Sequence, residues 1–227
     1  VFGEENFRNE IIWHYTGGGR SKSSFSKKHD IILLYSKCNN MAFYIDEIRV
    51  PYKETSGYAK SGIKSKSGKI YLPNPNGTPI DDVWDIPIIN PMSDERVDYP
   101  TQKPEELFER MLLASSKKGD TVLDPYGGSG TISVVAQRNG INSIYIDVSH
   151  LALEKTETRL KKLGLYTNIE LKGRPSDIIG ARRLAKDNKY QFELWVLSLI
   201  GFRKRENDKG VDGMKYVQVN NISHKFI

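Results

Sequence analysis

The stretch TVLDPYGGSGTISVVAQ, residues 121–137, constrains this chain more than any other. A short apolar run ends in Asp124, turns through Gly127, Gly128 and Gly130, and enters residues with helical spacing, Ile132, Val135 and Ala136. Strand, glycine turn and helix in that order make half of a βαβ unit, and parallel sheets bind their ligands at the carboxyl end of such a strand. Glycines there allow tight turning and close backbone approach to a ligand. The turn lacks the Gly-Lys-Ser/Thr of a phosphate loop, and the GxGxxG spacing of a dinucleotide fingerprint is not met. A purely structural glycine turn stays open. The next strand, SIYID at 143–147, ends at Asp147, 23 positions after Asp124, where an acid commonly accepts hydrogen bonds from ribose hydroxyls. Alone, Asp147 reads as an ordinary strand-end or capping residue; with the glycine turn upstream, a ribose ligand is the better reading.

Other elements follow from the pattern. EIIWHY (10–15) and DIILLYS (30–36) read as two buried strands around a Gly, Ser and Lys loop. Residues 39–98 lose periodicity and are rich in Pro, Gly, Lys and Tyr, so a loop-rich subdomain is expected rather than bare linker. Pro104, with Glu105 and Glu106, opens a helix that keeps Leu107, Met111 and Ala114 on one face. The helix after the glycine turn starts at Ser129 and stops at Asn139-Gly140. Ser149 caps another, running to Gly164 with Leu153, Leu160 and Leu163 inward. This alternation predicts an α/β fold with a parallel, doubly wound sheet. Residues 165–176 read as a linker, 177–201 as one or two helices with Phe192, Trp195, Val196 and Leu199 on an apolar face, and Tyr216–Val219 as a short strand.

Charge is segregated. The chain of 227 residues has net charge +6, which raises the prior for a polyanionic partner only modestly. Residues 49–72 hold Arg49, Lys53, Lys60, Lys64, Lys66 and Lys69 against Glu54; Arg20, Lys22, Lys27 and Lys28 form a second basic stretch without acids. Residues 81–98 reverse sign. The single cysteine, Cys38, excludes an internal disulfide framework and fits a reducing compartment. No apolar run is long enough to suggest a membrane span.

DPYGGSGT resembles the S-adenosylmethionine-binding motif, usually D-P-F-x-G-S-G-T, of the bacterial DNA amino-methyltransferases that act on exocyclic nitrogens of adenine or cytosine. YPTQKPEELFERMLLASSKKGD, at 99–120, resembles the motif preceding it in the circularly permuted class of that family. FGEENFRNEIIWHYTGGG, FSKKHDIILLYSK and WDIPIINP resemble the segments further upstream, so the likeness covers about residues 1–165. It implies a Rossmann-like methyltransferase sheet, partial in this chain, with a recognition insert at 39–98, a cofactor half at 99–165 and a helical C-terminal segment. It implies that Thr101, Gln102, Lys103 and Pro104 line the methionine end of the cofactor. Asp124, Pro125, Tyr126, Gly128, Ser129, Gly130 and Thr131 match the turn beneath it, and Asp147 the ribose acid. Tyr126 stands where Phe is usual.

The resemblance also implies double-stranded DNA as partner, a restriction–modification setting and a prokaryotic cytoplasmic location. Lys53, Tyr58, Lys60, Lys64, Lys66 and Lys69, inside the recognition-like insert, become candidates for DNA contact; a solvated basic loop is the alternative. Amino-methyl transfer needs a site that takes the target base out of the duplex, in this family a D-P-P-Y-like tetrapeptide. The nearest strings, Asn74-Pro75-Asn76-Gly77 and Asp124-Pro125-Tyr126, do not fit. A fragment without the catalytic loop is therefore expected, inactive alone, with an empty sheet edge beside residues 121–124 that invites an oligomer or strand exchange. Residues 177–213, DIIGARRLAKDNKYQFELWVLSLIG and then DKGVDG, resemble the opening of a fused restriction-endonuclease-like domain over 177–227. Glu193 and Asp212 stand where such nucleases bind a divalent metal, Mg2+ in the usual case. A DNA-binding or assembly module that keeps the fold without catalysis is the rival reading.

Overall fold

The computed structural model describes residues 2–200 throughout, together with the backbone of strands at 203–204, 213–219 and 222–226. The chain divides into two compact units. The first comprises Val1–Arg96, Lys103–Val122 and Val135–Asn142; the second comprises Val97–Gln102, Leu123–Val134 and Ser143–Ile227.

In the first unit, strand β1 (Phe7–His14) lies between β2 (His29–Tyr35), antiparallel, and β5 (Val83–Asp85), parallel. Alternation decides which side chains enter the core: Ile11 and Trp13 of β1 and Trp84 of β5 point inward and pack with Ile86 and Leu107. The Trp13 indole N–H donates to the buried Ile86 carbonyl at 2.8 Å, so the large ring leaves no orphan donor. Strand β2 is only half buried. Ile31 and Leu33 are 54% and 53% exposed while Ile32 and Leu34 face the core, so of the two strands expected to be buried, this one is buried on one face only. Helix α2 (Glu105–Ser115) begins just after Pro104, whose extended backbone (φ −61°, ψ 143°) occupies the N-cap, and buries Leu107, Leu112 and Ala114. The Arg110 guanidinium lies 5.3 Å from the Trp84 ring centroid.

The insert is loop-rich, as expected from its composition. It holds a 3-10 turn at Ile45–Ile48, a five-residue helix α1 (Gly57–Ser61) and a hairpin of β3 (Ile63–Lys64) and β4 (Ile70–Tyr71). The Ser56 hydroxyl caps α1 by accepting from the Ala59 N–H.

Strand β6 (Thr121–Asp124) pairs with β7 (Asn142–Tyr145). The Asn142 N–H donates to Asp120 O and the Ile146 N–H to Asp124 O; the bonds advance in the same direction on both strands, so the pair is parallel. Among the described residues no other strand is bonded to β6. Helix α3 (Thr131–Arg138) connects the two, beginning two residues later than the glycine pattern suggested, because Ser129 and Gly130 are spent in the turn. This is the βαβ unit the sequence predicts, and the chain is α/β.

In the second unit, helix α4 (His150–Lys162) is capped by the Ser149 hydroxyl, which accepts from Ala152 N–H. It buries Ala152, Thr156, Arg159 and Leu160; Leu163, expected inward, caps the C-terminus and is 40% exposed. Helices α5 (Ile178–Asp187) and α6 (Lys189–Leu199) follow, capped by Asp177 and Asn188. The buried face of α6 is Leu194, Leu197 and Ser198, nearly the opposite side of the helix from the face expected at Phe192, Trp195, Val196 and Leu199; Leu199 is 64% exposed. Backbone strands β8 (Arg203–Lys204), β9 (Gly213–Val219) and β10 (Ile222–Phe226) form an antiparallel sheet in the order β10-β9-β8.

Candidate cofactor site

The glycine turn after β6 is built from below by side chains of its own unit. A Cβ on Gly127 would meet the Tyr145 ring at 2.1 Å. Gly128 has φ +50° and lies under the Tyr99 ring; Gly130 has φ +70° and a Cβ there would meet Thr156 Cγ2 at 2.3 Å. Packing and backbone conformation thus demand glycine at all three positions whether or not a ligand lies above. Conformation is held by hydrogen bonds as well. The Tyr145 and Thr156 hydroxyls both donate to Gly128 O, at 2.8 and 3.1 Å. The buried Arg159 guanidinium donates to Ser129 O at 3.2 Å and to Thr131 Oγ1 at 3.1 Å.

Two carboxylates face this turn. Asp147 lies two residues beyond the end of β7, which stops at Tyr145 rather than at the acid itself. It accepts from Gly128 N–H on Oδ2 (2.8 Å) and from Ser149 N–H on Oδ1 (2.7 Å). Each oxygen has a second lone pair available for a hydroxyl donor. Asp124 accepts from Tyr126 N–H at 3.3 Å. Burial pushes its carboxyl above the ordinary aspartate range; the Tyr126 bond opposes that and the Asp147 charge reinforces it. Burial, aided by Asp147, likewise raises the Tyr99 phenol. Tyr126 projects outward, 89% exposed, and Val148 beside Asp147 is 81% exposed.

The structure therefore gathers Asp124, Pro125, Tyr126, Gly128, Ser129, Gly130, Thr131 and Asp147 at one strand end, in the same unit as Thr101 and Gln102. Gln102 closes the preceding turn: its N–H donates to Tyr99 O and its Oε1 accepts from Val97 N–H. Lys103 and Pro104 belong to the other unit. There the Lys103 ammonium bonds Asp30 Oδ2 at 3.0 Å and lies 4.8 Å from the Trp13 ring centroid, while Pro104 is buried. The sequence reading missed Tyr99, Tyr145, Thr156 and Arg159. A signal existed for two of them: Thr156 and Arg159 fall on the inward stripe of α4 with Ala152 and Leu160, where polar side chains need a partner.

Of the basic candidates, Tyr58 and Lys60 lie on α1, Lys64, Lys66 and Lys69 lie on the β3–β4 hairpin, and Lys53 precedes α1, all in the first unit. Tyr58 packs edge-on against Tyr52, and its hydroxyl donates to Leu72 O, tying α1 to the hairpin. Glu193 lies half-buried on α6, and Asp212 lies outside the described residues. Among the described residues no group of three or more His, Cys, Asp or Glu could hold a metal ion.

A family model described as DNA methylase, of the N6/N4 methyltransferase type, matches residues 1–158. The type II methyltransferase M.HpaI of Haemophilus parainfluenzae is 37% identical over 155 residues, covering 68% of this chain and 45% of that protein. The DNA adenine methyltransferase YhdJ of Escherichia coli is 34% identical over 166 residues, covering 72% of this chain and 55% of that protein. The chain thus spans about half the length of these relatives. Among solved structures, the M1.HpyAVI–SAM complex superposes with a TM-score of 0.45 at 20% identity, over 68% of this chain and 62% of that one.

Proposed function

The chain belongs to the DNA methylase family matched over residues 1–158, and from that premise we propose that it carries the cofactor-binding half of a site-specific DNA methyltransferase of a restriction–modification system. The cofactor is S-adenosylmethionine and the acceptor an exocyclic amine, adenine N6 or cytosine N4. The carrying observation is the Asp147 carboxylate clasped over Gly128 at the end of a parallel strand, with acceptor capacity left on both oxygens. The donor set fits a cofactor that offers ribose hydroxyls and a positive charge: two carboxylates and a turn of buried glycines. S-adenosylmethionine would supply a methyl group activated by its sulfonium.

The residues of this chain bind and orient. Asp147 receives the ribose hydroxyls, the turn from Asp124 to Thr131 holds the body of the cofactor, and Thr101 and Gln102 serve its methionine end; Lys103 and Pro104 are assigned to that end on the family likeness alone. Lys53, Tyr58, Lys60, Lys64, Lys66 and Lys69 contact DNA, phosphates by the lysines and a base or sugar face by Tyr58. No D-P-P-Y-like string occurs in the 227 residues, so binding of the target amine is assigned to none of them. The edge of β6 that is unpaired among the described residues takes up a further strand by oligomerisation or strand exchange. Residues 177–227 begin a restriction-endonuclease-like domain; with no metal cluster among the described residues, no hydrolytic step is assigned to Glu193 or Asp212.

Calorimetric titration of S-adenosylmethionine into the chain and into the Asp147→Ala variant tests the reading. The expected result is measurable binding that weakens at least tenfold in the variant, about 1.4 kcal/mol. Equal affinity in both would take Asp147 out of the site, and no binding to either would leave the rival, a non-catalytic DNA-binding module.

A further inference from the structure

The connection between β1 and β2, residues 15–28, is far longer than a hairpin needs, since such loops usually take about two to five residues. It carries Arg20, Lys22, Lys27 and Lys28 and no acid. One of these cations is committed to folding. The Lys28 ammonium bonds the carbonyls of Gly17, Gly18 (3.5 Å) and Gly19 (3.1 Å). Gly17 and Gly18 adopt φ +105° and +69°, a backbone open chiefly to glycine, and so turn those carbonyls onto it. A second set of bonds fixes the tip: the Ser21 hydroxyl accepts from Ser23 and Ser24 N–H, and Ser26 Oγ accepts from Ser21 N–H. The Tyr15 N–H to Lys28 O bond (2.9 Å) closes the base.

On this shaped loop, Arg20, Lys22 and Lys27 are exposed. Between them Phe25 is 103% exposed, touching essentially nothing of its own protein. A lone aromatic ring among cations does not suit an apolar protein interface, which needs contiguous apolar surface. Nor does a single apolar side chain anchor a membrane, where binding strength grows with buried apolar area. It suits nucleic acid, whose phosphates take the cations and whose bases or sugars take the ring.

We propose that the loop of residues 15–28 is a DNA-contacting element separate from the 53–69 segment, with Arg20, Lys22 and Lys27 on phosphates and Phe25 stacked on or wedged against a base. It rests on the reading of this family member as a DNA methyltransferase, and adds a binding element which that reading does not assign.

Fluorescence anisotropy with a labelled mixed-sequence duplex, at several salt concentrations, tests it on the whole chain. The triple variant Arg20→Ala, Lys22→Ala, Lys27→Ala should reduce the slope of log affinity against log salt by about 2 to 3. Phe25→Ala should weaken binding by about fivefold or more with the slope unchanged. Phe25→Trp should restore affinity, with indole fluorescence quenched when duplex is added. Circular dichroism should match the wild type in every variant, because none of the four side chains is buried. If the wild type binds duplex and the variants bind equally well, the loop proposal falls while the methyltransferase reading stands. If the wild type binds no duplex, the loop proposal falls together with the assignment of Lys53, Tyr58, Lys60, Lys64, Lys66 and Lys69 to DNA, while the cofactor site is decided separately by the calorimetric titration. Retention of the chain on anionic phospholipid vesicles, lost in Phe25→Ala while duplex binding is unaffected, would reassign the loop to a membrane surface.

Discussion

Gly130 and Arg159 show what individual residues contribute to the turn beneath the proposed cofactor. Gly130 is constrained twice, by φ +70° and by Thr156 Cγ2 at 2.3 Å from any Cβ. Gly164 has a similar φ, +69°, but no atom within 4 Å of that position. Alanine at either site incurs left-handed backbone strain of about 1–3 kcal/mol, while at Gly130 overpacking adds about 1–3 kcal/mol more. Urea denaturation should therefore show Gly130→Ala clearly less stable than Gly164→Ala; equal losses would mean that Thr156 does not confine the turn. Arg159, 5% exposed, holds Ser129 O and Thr131 Oγ1 from below. Arg159→Met keeps much of the length and removes the donors, at a cost of about 1–3 kcal/mol for each acceptor left buried and unmet. An unchanged urea midpoint in that variant would show that the guanidinium is not what holds the turn.

Among the elements, α4 is tied to the segment that follows it by Glu157. Its carboxylate accepts from Lys161 Nζ (2.6 Å), Arg174 Nη1 (2.8 Å) and the Tyr166 hydroxyl (3.1 Å). Burial works against the charged form, yet these three donors together hold the carboxyl below the ordinary glutamate range. A carboxyl depressed by folding stabilises the fold above its unfolded value, near 4.5, and that contribution disappears as pH falls through the lower folded value. Thermal melts from neutral pH downward should show Glu157→Gln less stable than wild type at pH 7, with the gap closing below about pH 4. A gap that persists undiminished in acid would mean the loss came from packing. The βαβ unit was legible in the sequence because strand, turn and helix are each written in adjacent residues: an apolar run, three glycines and a 3.6-residue repeat. The buried face of α6 was not. Phe192, Leu194, Trp195, Val196, Leu197 and Leu199 nearly encircle that helix, so only tertiary packing selects Leu194 and Leu197. The same holds for the candidate site. Asp124, Gly128, Gly130 and Asp147 could be named from spacing along one unit, but the setting of Lys103 depends on Asp30 and Trp13, more than seventy residues away, which no local pattern encodes.

At the scale of the whole molecule, β6 and β7 leave apolar side chains in solvent. In β6 the burial alternates, and Leu123 is 59% exposed; Ile144 and Ile146, on and just after β7, are 52% and 50% exposed. A parallel strand pair is ordinarily buried on both faces by helices. Here α3, the connecting helix, buries Val134, Val135 and Ala136, while Leu123, Ile144 and Ile146 remain in solvent and, among the described residues, β6 is bonded on one edge only. An exposed apolar strand face beside bare N–H and C=O groups favours association over solvation. Sedimentation velocity should therefore show the chain self-associating with increasing concentration. The double variant Leu123→Lys, Ile144→Lys should shift it toward monomer, because lysines on an exposed strand repel an added neighbour. Its melting temperature should fall little, since neither side chain is in the core. A wild type that stays monomeric across the concentration range would sink the proposal of strand exchange at this edge. A variant that associates as strongly as the wild type would place the contact elsewhere, with the half-exposed Ile31 and Leu33 of β2 as the next surface to alter.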